Sequence, residues 1–334
     1  MLDLKLIYCR LYEFDDVKLT NMPTLSIPNK DISFVVQGPV QASDARKQIP
    51  GVTKRTLDSI RQYFPGSSIV LSTWKGQALE GLDFDKLIEL DDPGQNSVFN
   101  NDIEQKLNNN RQLYSSHMGL TSVKTKYAVK MRSDNVLIGR GFVELFEKYH
   151  CLDRTDQDKL LKERVVTSSA FFISHHRGAP NYFCKSDLFD FGLTEDLLKI
   201  WSETLLSELR FYPVKGYKSR PPATEQFLCL KWISEIKGVE LKINSRINDD
   251  AGLGPNFWRN CIAANLIVAK PEEIGLDTTE RFYRRGNLLF EYDLADWKEL
   301  AGIEKQPFNL KKAIRYIRNS VENTNRFFYK RLKG

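Results

Sequence analysis

The 334-residue chain is poor in the residues from which metal and redox centres are usually built. It has four histidines, His117, His150, His175 and His176, too few for a histidine-rich metal site. Five cysteines, Cys9, Cys151, Cys184, Cys229 and Cys261, stand singly with no Cys-x-x-Cys pair. That pattern, with its odd total, argues against a disulfide framework or a zinc ribbon and fits a reducing compartment. No stretch approaches the roughly 18 to 20 apolar residues that span a bilayer. The start, Met1-Leu2-Asp3-Leu4-Lys5, lacks the basic-then-apolar order of a secretory signal, so a cytoplasmic location is expected. There is no Gly-x-x-x-x-Gly-Lys-Ser/Thr loop, no Gly-x-Gly-x-x-Gly after a strand, no Gly-x-Ser-x-Gly elbow and no His-Glu-x-x-His. Chemistry therefore falls to carboxylates, amides and basic groups.

What the sequence does carry is alternation. Residues 31–135 read as strands and helices in turn, the pattern of an α/β layer around a mainly parallel sheet. Ile32-Ser33-Phe34-Val35-Val36 predicts a strand stopped by Gln37-Gly38-Pro39, and Thr53–Tyr63 a helix with Leu57 and Ile60 at helical spacing. Strands follow at Ser68–Trp74 and Lys86–Leu90, the second ended by Asp91-Asp92-Pro93-Gly94. A polar loop leads to a helix at Asn109–Val123 and a strand Tyr127–Met131 that ends in Arg132-Ser133-Asp134. Ligands of doubly wound sheets sit beyond the carboxyl ends of the strands, so these polar strand ends are expected to form one rim. Further on, the pattern predicts a helix Phe142–Tyr149, a charged linker Asp153–Glu163 and an apolar strand Val165–Ile173. A helix around Thr194–Leu209, a basic loop Lys215–Arg220 and a helix from about Thr224 complete a more loop-rich half.

Each candidate on the rim has two readings. Asp134 can hold Mg²⁺ or Mn²⁺ on a diphosphate, a task for one or two carboxylates, with Lys130 and Arg132 neutralising phosphate charge. Taken alone, Asp134-Asn135 reads as a turn. Asn108-Asn109-Asn110-Arg111 opens a helix whose free N–H groups, with Arg111, suit a phosphate or ribose, or whose asparagine is an ordinary cap. Asp92 favours a turn. Glu225 follows the stiff Pro221-Pro222 pair and can act as a general base, or it can answer the helix dipole while Thr224 caps the helix. His175 and His176 read as an acceptor-side or leaving-group contact, or as a half-buried polar join. Asp250, in Asn248-Asp249-Asp250, reads as a further metal ligand.

The ordered segments Ile32-Ser33-Phe34-Val35-Val36-Gln37-Gly38-Pro39, Ser59-Ile60-Arg61-Gln62-Tyr63-Phe64-Pro65-Gly66, Leu71-Ser72-Thr73-Trp74-Lys75-Gly76, Asp91-Asp92-Pro93-Gly94, Asn110-Arg111-Gln112 and Lys130-Met131-Arg132-Ser133-Asp134 resemble the WavE lipopolysaccharide synthesis family. Lys185-Ser186-Asp187-Leu188-Phe189-Asp190-Phe191-Gly192 and Thr224-Glu225-Gln226 are similar to it more weakly. The resemblance implies a glycosyltransferase of bacterial lipopolysaccharide or capsule assembly with a GT-A-like fold. That fold is a mainly parallel twisted sheet flanked by helices, here with an appended loop-rich acceptor region and a helical basic C-terminus. It also implies a nucleotide-sugar donor at Gln37, Gly38, Pro39, Asp92, Arg111, Lys130 and Arg132, and a glycan or lipid-linked acceptor near His175 and His176. Glu225 and Asp134 are the expected catalytic residues, with Mn²⁺ or Mg²⁺ on Asp134 and Asp250. GT-A enzymes usually carry Asp-x-Asp after the fourth strand; Arg132-Ser133-Asp134 lacks the first Asp, which leaves one carboxylate there.

The expected organisation is an N-terminal extension (1–30), a nucleotide-sugar-binding half (31–138), an acceptor-binding and catalytic half (139–305) and a basic amphipathic tail (306–334). From Lys311 to Gly334 the tail has eight Lys or Arg against the single Glu322. Ile314, Ile317 and Val321 fall on one side at helical spacing, as in a helix at an anionic membrane surface, here the inner face of the cytoplasmic membrane. A helix packed on the domain with a solvated basic face is the alternative. Two other functions compete. A sugar nucleotidyltransferase is disfavoured because Gln37-Gly38-Pro39-Val40 is poor in glycine. A nucleic-acid-binding module is disfavoured because Lys and Arg are not interleaved with aromatics outside Arg326-Phe327-Phe328-Tyr329-Lys330.

Overall fold

A computed structural model describes residues 26–40, 49–211, 220–278, 282 and 289–333. The predicted basic loop therefore lies outside the described residues except for Arg220, as does the extension before residue 26. The chain runs β1 (Ile32–Gln37), α1 (Val52–Tyr63), β2 (Ser68–Trp74), β3 (Lys86–Leu90), β4 (Asn96–Asn100), β5 (Ile103–Leu107), α2 (Asn109–Thr121), β6 (Tyr127–Arg132), β7 (Asn135–Leu137) and α3 (Gly141–Tyr149). There follow β8 (Val165–Ser168), β9 (His175–His176), β10 (Ala179–Pro180), β11 (Phe189–Leu193), α4 (Thr194–Ile200), β12 (Leu209–Phe211) and α5 (Thr224–Lys237). Last come α6 (Phe257–Asn265), β13 (Leu266–Ala269), β14 (Leu276–Thr278), α7 (Leu294–Leu300) and α8 (Leu310–Lys333).

Seven strands form the central sheet in the order β13-β8-β11-β6-β1-β2-β3. All run parallel except β11, which is antiparallel to both β6 and β8. The expected α/β class with a mainly parallel sheet is thus the observed one, and both halves of the chain contribute to a single sheet. β1 is buried along its whole length, as a central strand covered on both faces must be. Its side chains alternate between the two faces. Phe34 points to the α1/α3 side, where its ring lies 4.9 Å from that of Phe64, and Phe64 stacks on Phe142 at 5.2 Å. Val35 points to the opposite side, where α2 comes so close that a Cβ on Gly119 would meet Val35 Cγ1 at 2.3 Å. Such an approach requires glycine at position 119.

Several predicted elements differ. The polar stretch before α2 contains the β4–β5 hairpin, extended by β12 into a separate three-stranded sheet. The strand expected at Val165–Ile173 stops at Ser168, because the chain turns at Ser169 and reaches positive φ at Phe171. The helix expected at Thr194–Leu209 ends at Ile200, where Trp201 turns inward to the Asp190 carboxylate. The C-terminal helix is docked by Lys311 and Arg315, which bind Asp293 and Asp296, and by Arg326, which donates to the Arg177 carbonyl. Positions 311, 315, 322 and 326 share one helix face. Leu310, Ile317, Val321, Phe328 and Leu332 lie on another, exposed face. The helix is thus docked through part of its basic set, while Arg318, Lys330 and Arg331 are exposed along with the apolar face.

Candidate active site at the strand ends

The rim forms where parallel strands end together. The Gln37 side chain is buried beneath it, with Oε1 2.8 Å from the Ser115 hydroxyl, and that hydroxyl is also 2.8 Å from the Arg111 carbonyl. Gly38 turns at φ +117°, a conformation that favours glycine, and a Cβ there would stand 3.2 Å from Ser133 Oγ. Ser133 ties this turn down: its N–H donates to the Gln37 carbonyl at 2.9 Å and its hydroxyl to the Pro39 carbonyl at 2.8 Å. Gln37, Gly38, Pro39 and Arg132-Ser133-Asp134 therefore form one connected floor. Farther along the rim Arg111 forks onto Asp92, with Nε to Oδ1 at 2.7 Å, and holds that carboxyl below its ordinary range.

Asp134 is buried and accepts from Arg132 through both oxygens, at 2.8 Å each. Such a bidentate, charge-assisted pair fixes the plane of both groups. Beside it Lys130 is fully buried; its ammonium lies 3.8 Å from the Trp201 ring centroid and donates to the Asp187 carbonyl. Burial pushes Lys130 down to about 7, against the pull of Asp187 and Asp190. Gln112 donates to the same Asp187 carbonyl at 2.8 Å, so the backbone at Asp187 is held from two elements. Behind it Lys185 and Asp190 form a buried ion pair at 2.7 Å, with Trp201 Nε1 donating to the second Asp190 oxygen at 2.9 Å.

Glu225 reaches this group from the second half. It sits in the first turn of α5, where the N-cap is Ala223 rather than the expected Thr224. Gln226 organises the entry: its Oε1 accepts from the Ala223 N–H at 2.9 Å, and its Nε2 donates to the carbonyls of Tyr182 (2.7 Å) and Arg246 (3.1 Å). Burial, and then the neighbouring charge of Asp187, raise the Glu225 carboxyl from 4.5 to about 7, while Arg246 opposes the rise. Asp187 in turn acts electrostatically on both Lys130 and Arg132. Asp187 is thus the charge that Lys130, Arg132 and Glu225 share, and Arg246 acts on Glu225 as well.

The other expected site residues are placed as follows. His175 and His176 form β9, paired with β10, and burial lowers both, His176 to about 4. Asp250 accepts from the Gly252 N–H at 3.0 Å in its own turn. Among the described residues no three His, Cys, Asp or Glu side chains cluster as a metal site, and Asp250 is not joined to Asp134 in one. A cation seated mainly on a diphosphate needs only one or two carboxylates. Asp134 fits that minimal role, provided Arg132 passes from its oxygens to the phosphate. The sequence does not single out Asp187, Asp190, Lys185, Trp201 or Arg246 as site residues. The signal available was three charged residues, Lys185, Asp187 and Asp190, set in the otherwise apolar run ending Leu188-Phe189-Asp190-Phe191.

A family model described as WavE lipopolysaccharide synthesis matches residues 32–328. No curated protein matches. Among solved structures, a Drosophila beta-1,4-galactosyltransferase 7 mutant in complex with manganese, UDP-Gal and xylobiose is similar at 7% identity and a TM-score of 0.28, over 85% of this chain and 79% of that one. A likeness of that size carries no argument about this protein.

Proposed function

Because the chain belongs to the WavE lipopolysaccharide synthesis family, we propose that it is a glycosyltransferase, moving a sugar from a nucleotide-sugar donor to a lipopolysaccharide or capsule glycan acceptor. What supports this reading is Glu225 in the first turn of α5, its carboxyl raised to about 7 by burial and then by Asp187, the residue whose charge also acts on Arg132 at the rim. A carboxylate tuned near neutrality is suited to general-base work.

In this proposal Glu225 takes the proton of the acceptor hydroxyl as that oxygen bonds to the sugar, and the nucleoside diphosphate leaves toward the rim. Arg132 meets the charge that develops on the leaving phosphate. Gln37, Gly38 and Pro39 form the floor under the donor, and the Arg111–Asp92 pair borders its nucleoside end. Lys130 keeps Asp187 in place through its carbonyl. A divalent Mn²⁺ or Mg²⁺ held by Asp134 would supply further charge neutralisation to the diphosphate.

No helix among the described residues is long and apolar enough to cross a membrane. We place the protein at the inner surface of the cytoplasmic membrane through α8. Its outward Ile317, Val321 and Phe328, flanked by Arg318 and Arg331, suit an anionic interface where a lipid-linked acceptor would be presented. The proposal is tested by replacing Glu225 with Gln and measuring transfer and nucleotide binding separately. Transfer should be lost and binding kept; transfer at the wild-type rate overturns the assignment.

A further inference from the structure

Three arginines from distant parts of the sequence act together on His176, and one of them, Arg246, also acts on Glu225. Arg177 lies in the turn between β9 and β10, Arg220 precedes α5, and Arg246 follows it. The backbone brings the segments together. Arg246 donates from its N–H to the Arg220 carbonyl and from Nε to the Pro221 carbonyl, each at 3.2 Å. Two residues on, the Asn248 N–H donates to the Pro180 carbonyl at 2.9 Å and fastens this loop to β10. Arg326 fixes the β9–β10 turn from α8 by donating to the Arg177 carbonyl at 2.6 Å.

The guanidiniums outnumber the carboxylates that act beside them, Glu225 on Arg246 and Glu322 on His176. Among the described residues neither Arg177 nor Arg220 makes an ion pair, and Arg246 spends its Nε on a carbonyl. Arg246, Arg177 and Arg220, after burial, are what depress His176, while Glu322 alone opposes them there. His176 Nε2 is buried without a hydrogen-bond partner. A buried polar atom without a partner, beside an excess of guanidinium charge, is expected to gain one when an anion fills the site.

We propose that Arg177, Arg220 and Arg246, with His176, bind an oxyanion group of the acceptor, a phosphate or a sugar carboxylate, and so hold the acceptor hydroxyl against Glu225. This rests on the reading of Glu225 as the base. The anion is assigned to the acceptor because Arg246 acts on Glu225, the base for the acceptor hydroxyl, whereas the donor phosphates are assigned to Arg132. Guanidiniums take phosphate or carboxylate in a forked pair, which fixes orientation as well as position.

The test uses the full chain and three probes: inorganic phosphate, glucuronate, and the nucleoside diphosphates ADP, CDP, GDP and UDP with Mn²⁺. The His176 imidazole resonance, assigned by its loss in His176→Gln, reports anion binding, and thermal melting reports nucleotide binding. Phosphate or glucuronate should shift the resonance saturably, the tighter of the two naming the acceptor group. The double variant Arg177→Ala/Arg220→Ala should weaken that binding at least tenfold and leave the nucleotide effect at its wild-type size. The proposal is overturned if neither anion shifts His176, if the double variant changes anion affinity less than twofold, or if it weakens nucleotide binding as much as anion binding. Anion binding with no nucleotide binding would leave the oxyanion site standing and remove the transferase reading.

Discussion

The guanidinium of Arg132 grips both carboxylate oxygens of Asp134 at 2.8 Å, two residues apart at the end of the strand nearest the middle of the sheet. Removing one member of a buried pair leaves the other charge uncompensated, which commonly costs about 3–5 kcal/mol. Arg132 retains some exposure, so Arg132→Ala should destabilise the fold by about 2–3 kcal/mol. The double variant Arg132→Ala/Asp134→Ala should recover part of that loss. Denaturant unfolding of the single and double variants checks this; equal stability of wild type and Arg132→Ala would show that the pair contributes nothing.

Glu225 ties activity to pH. With its carboxyl raised to about 7, the basic form accumulates above neutrality, so the transfer rate should climb through pH 7 and level off above it. Glu225→Gln should lower the rate by about 10²–10⁴-fold and flatten that climb. The same shift acts on stability with the opposite benefit. The folded state holds a proton that the unfolded chain releases between about 4.5 and about 7, so this group's contribution falls as pH rises across that window. Glu225→Gln should therefore be more stable than wild type at pH 8, by something on the order of 3 kcal/mol, and show no gain below pH 4.

Lys130 is displaced in the other direction. Its amine is lowered from 10.5 to about 7 by burial, so the unfolded chain binds a proton that the folded state does not across that interval. Stability from this group rises between pH 7 and pH 10. Lys130→Met keeps the volume and removes the charge, and should raise the melting temperature at pH 7 while flattening its increase toward pH 10. Because Lys130 also holds the Asp187 carbonyl, transfer should slow in this variant while nucleotide affinity stays the same. Melting curves across pH, with kcat and nucleotide affinity measured separately, check both halves.

The outward face of α8 predicts lipid binding. Full-length protein should float with vesicles containing anionic lipid and dissociate as salt rises. Ile317→Asp/Val321→Asp leaves the docking contacts of Lys311, Arg315 and Arg326 in place, so it should abolish flotation without changing the melting temperature. Flotation of that variant to the wild-type extent removes the membrane role.

The legible part of the fold is the part built from short β-prone runs with clear turn or polar boundaries. Ser68–Trp74 and Lys86–Leu90 were read to the residue because polar or glycine-bearing segments bound them on both sides. β11 was missed because Asp190 interrupts its run at a position that is buried only through Lys185 and Trp201. The β4–β5 hairpin was missed because Asn96–Asn100 and Ile103–Leu107 are too polar to stand out from a loop. In the site, Arg132, Asp134 and Glu225 were visible as charges at element ends. Asp187 was not, since only the pairing of β11 with β6 brings it beside them. Arg177, Arg220 and Arg246 have no shared local pattern; tertiary hydrogen bonds alone unite them.

The most direct test is thermal melting in the presence of nucleoside diphosphates and nucleotide sugars, each with and without Mn²⁺. A ligand of the folded state at 100 times its Kd stabilises by about 2.7 kcal/mol. One nucleotide class should raise the melting temperature, Mn²⁺ should enlarge the rise, and Asp134→Ala should lose the part that depends on the cation. Melting unchanged by every nucleotide and nucleotide sugar, with and without Mn²⁺, contradicts the account.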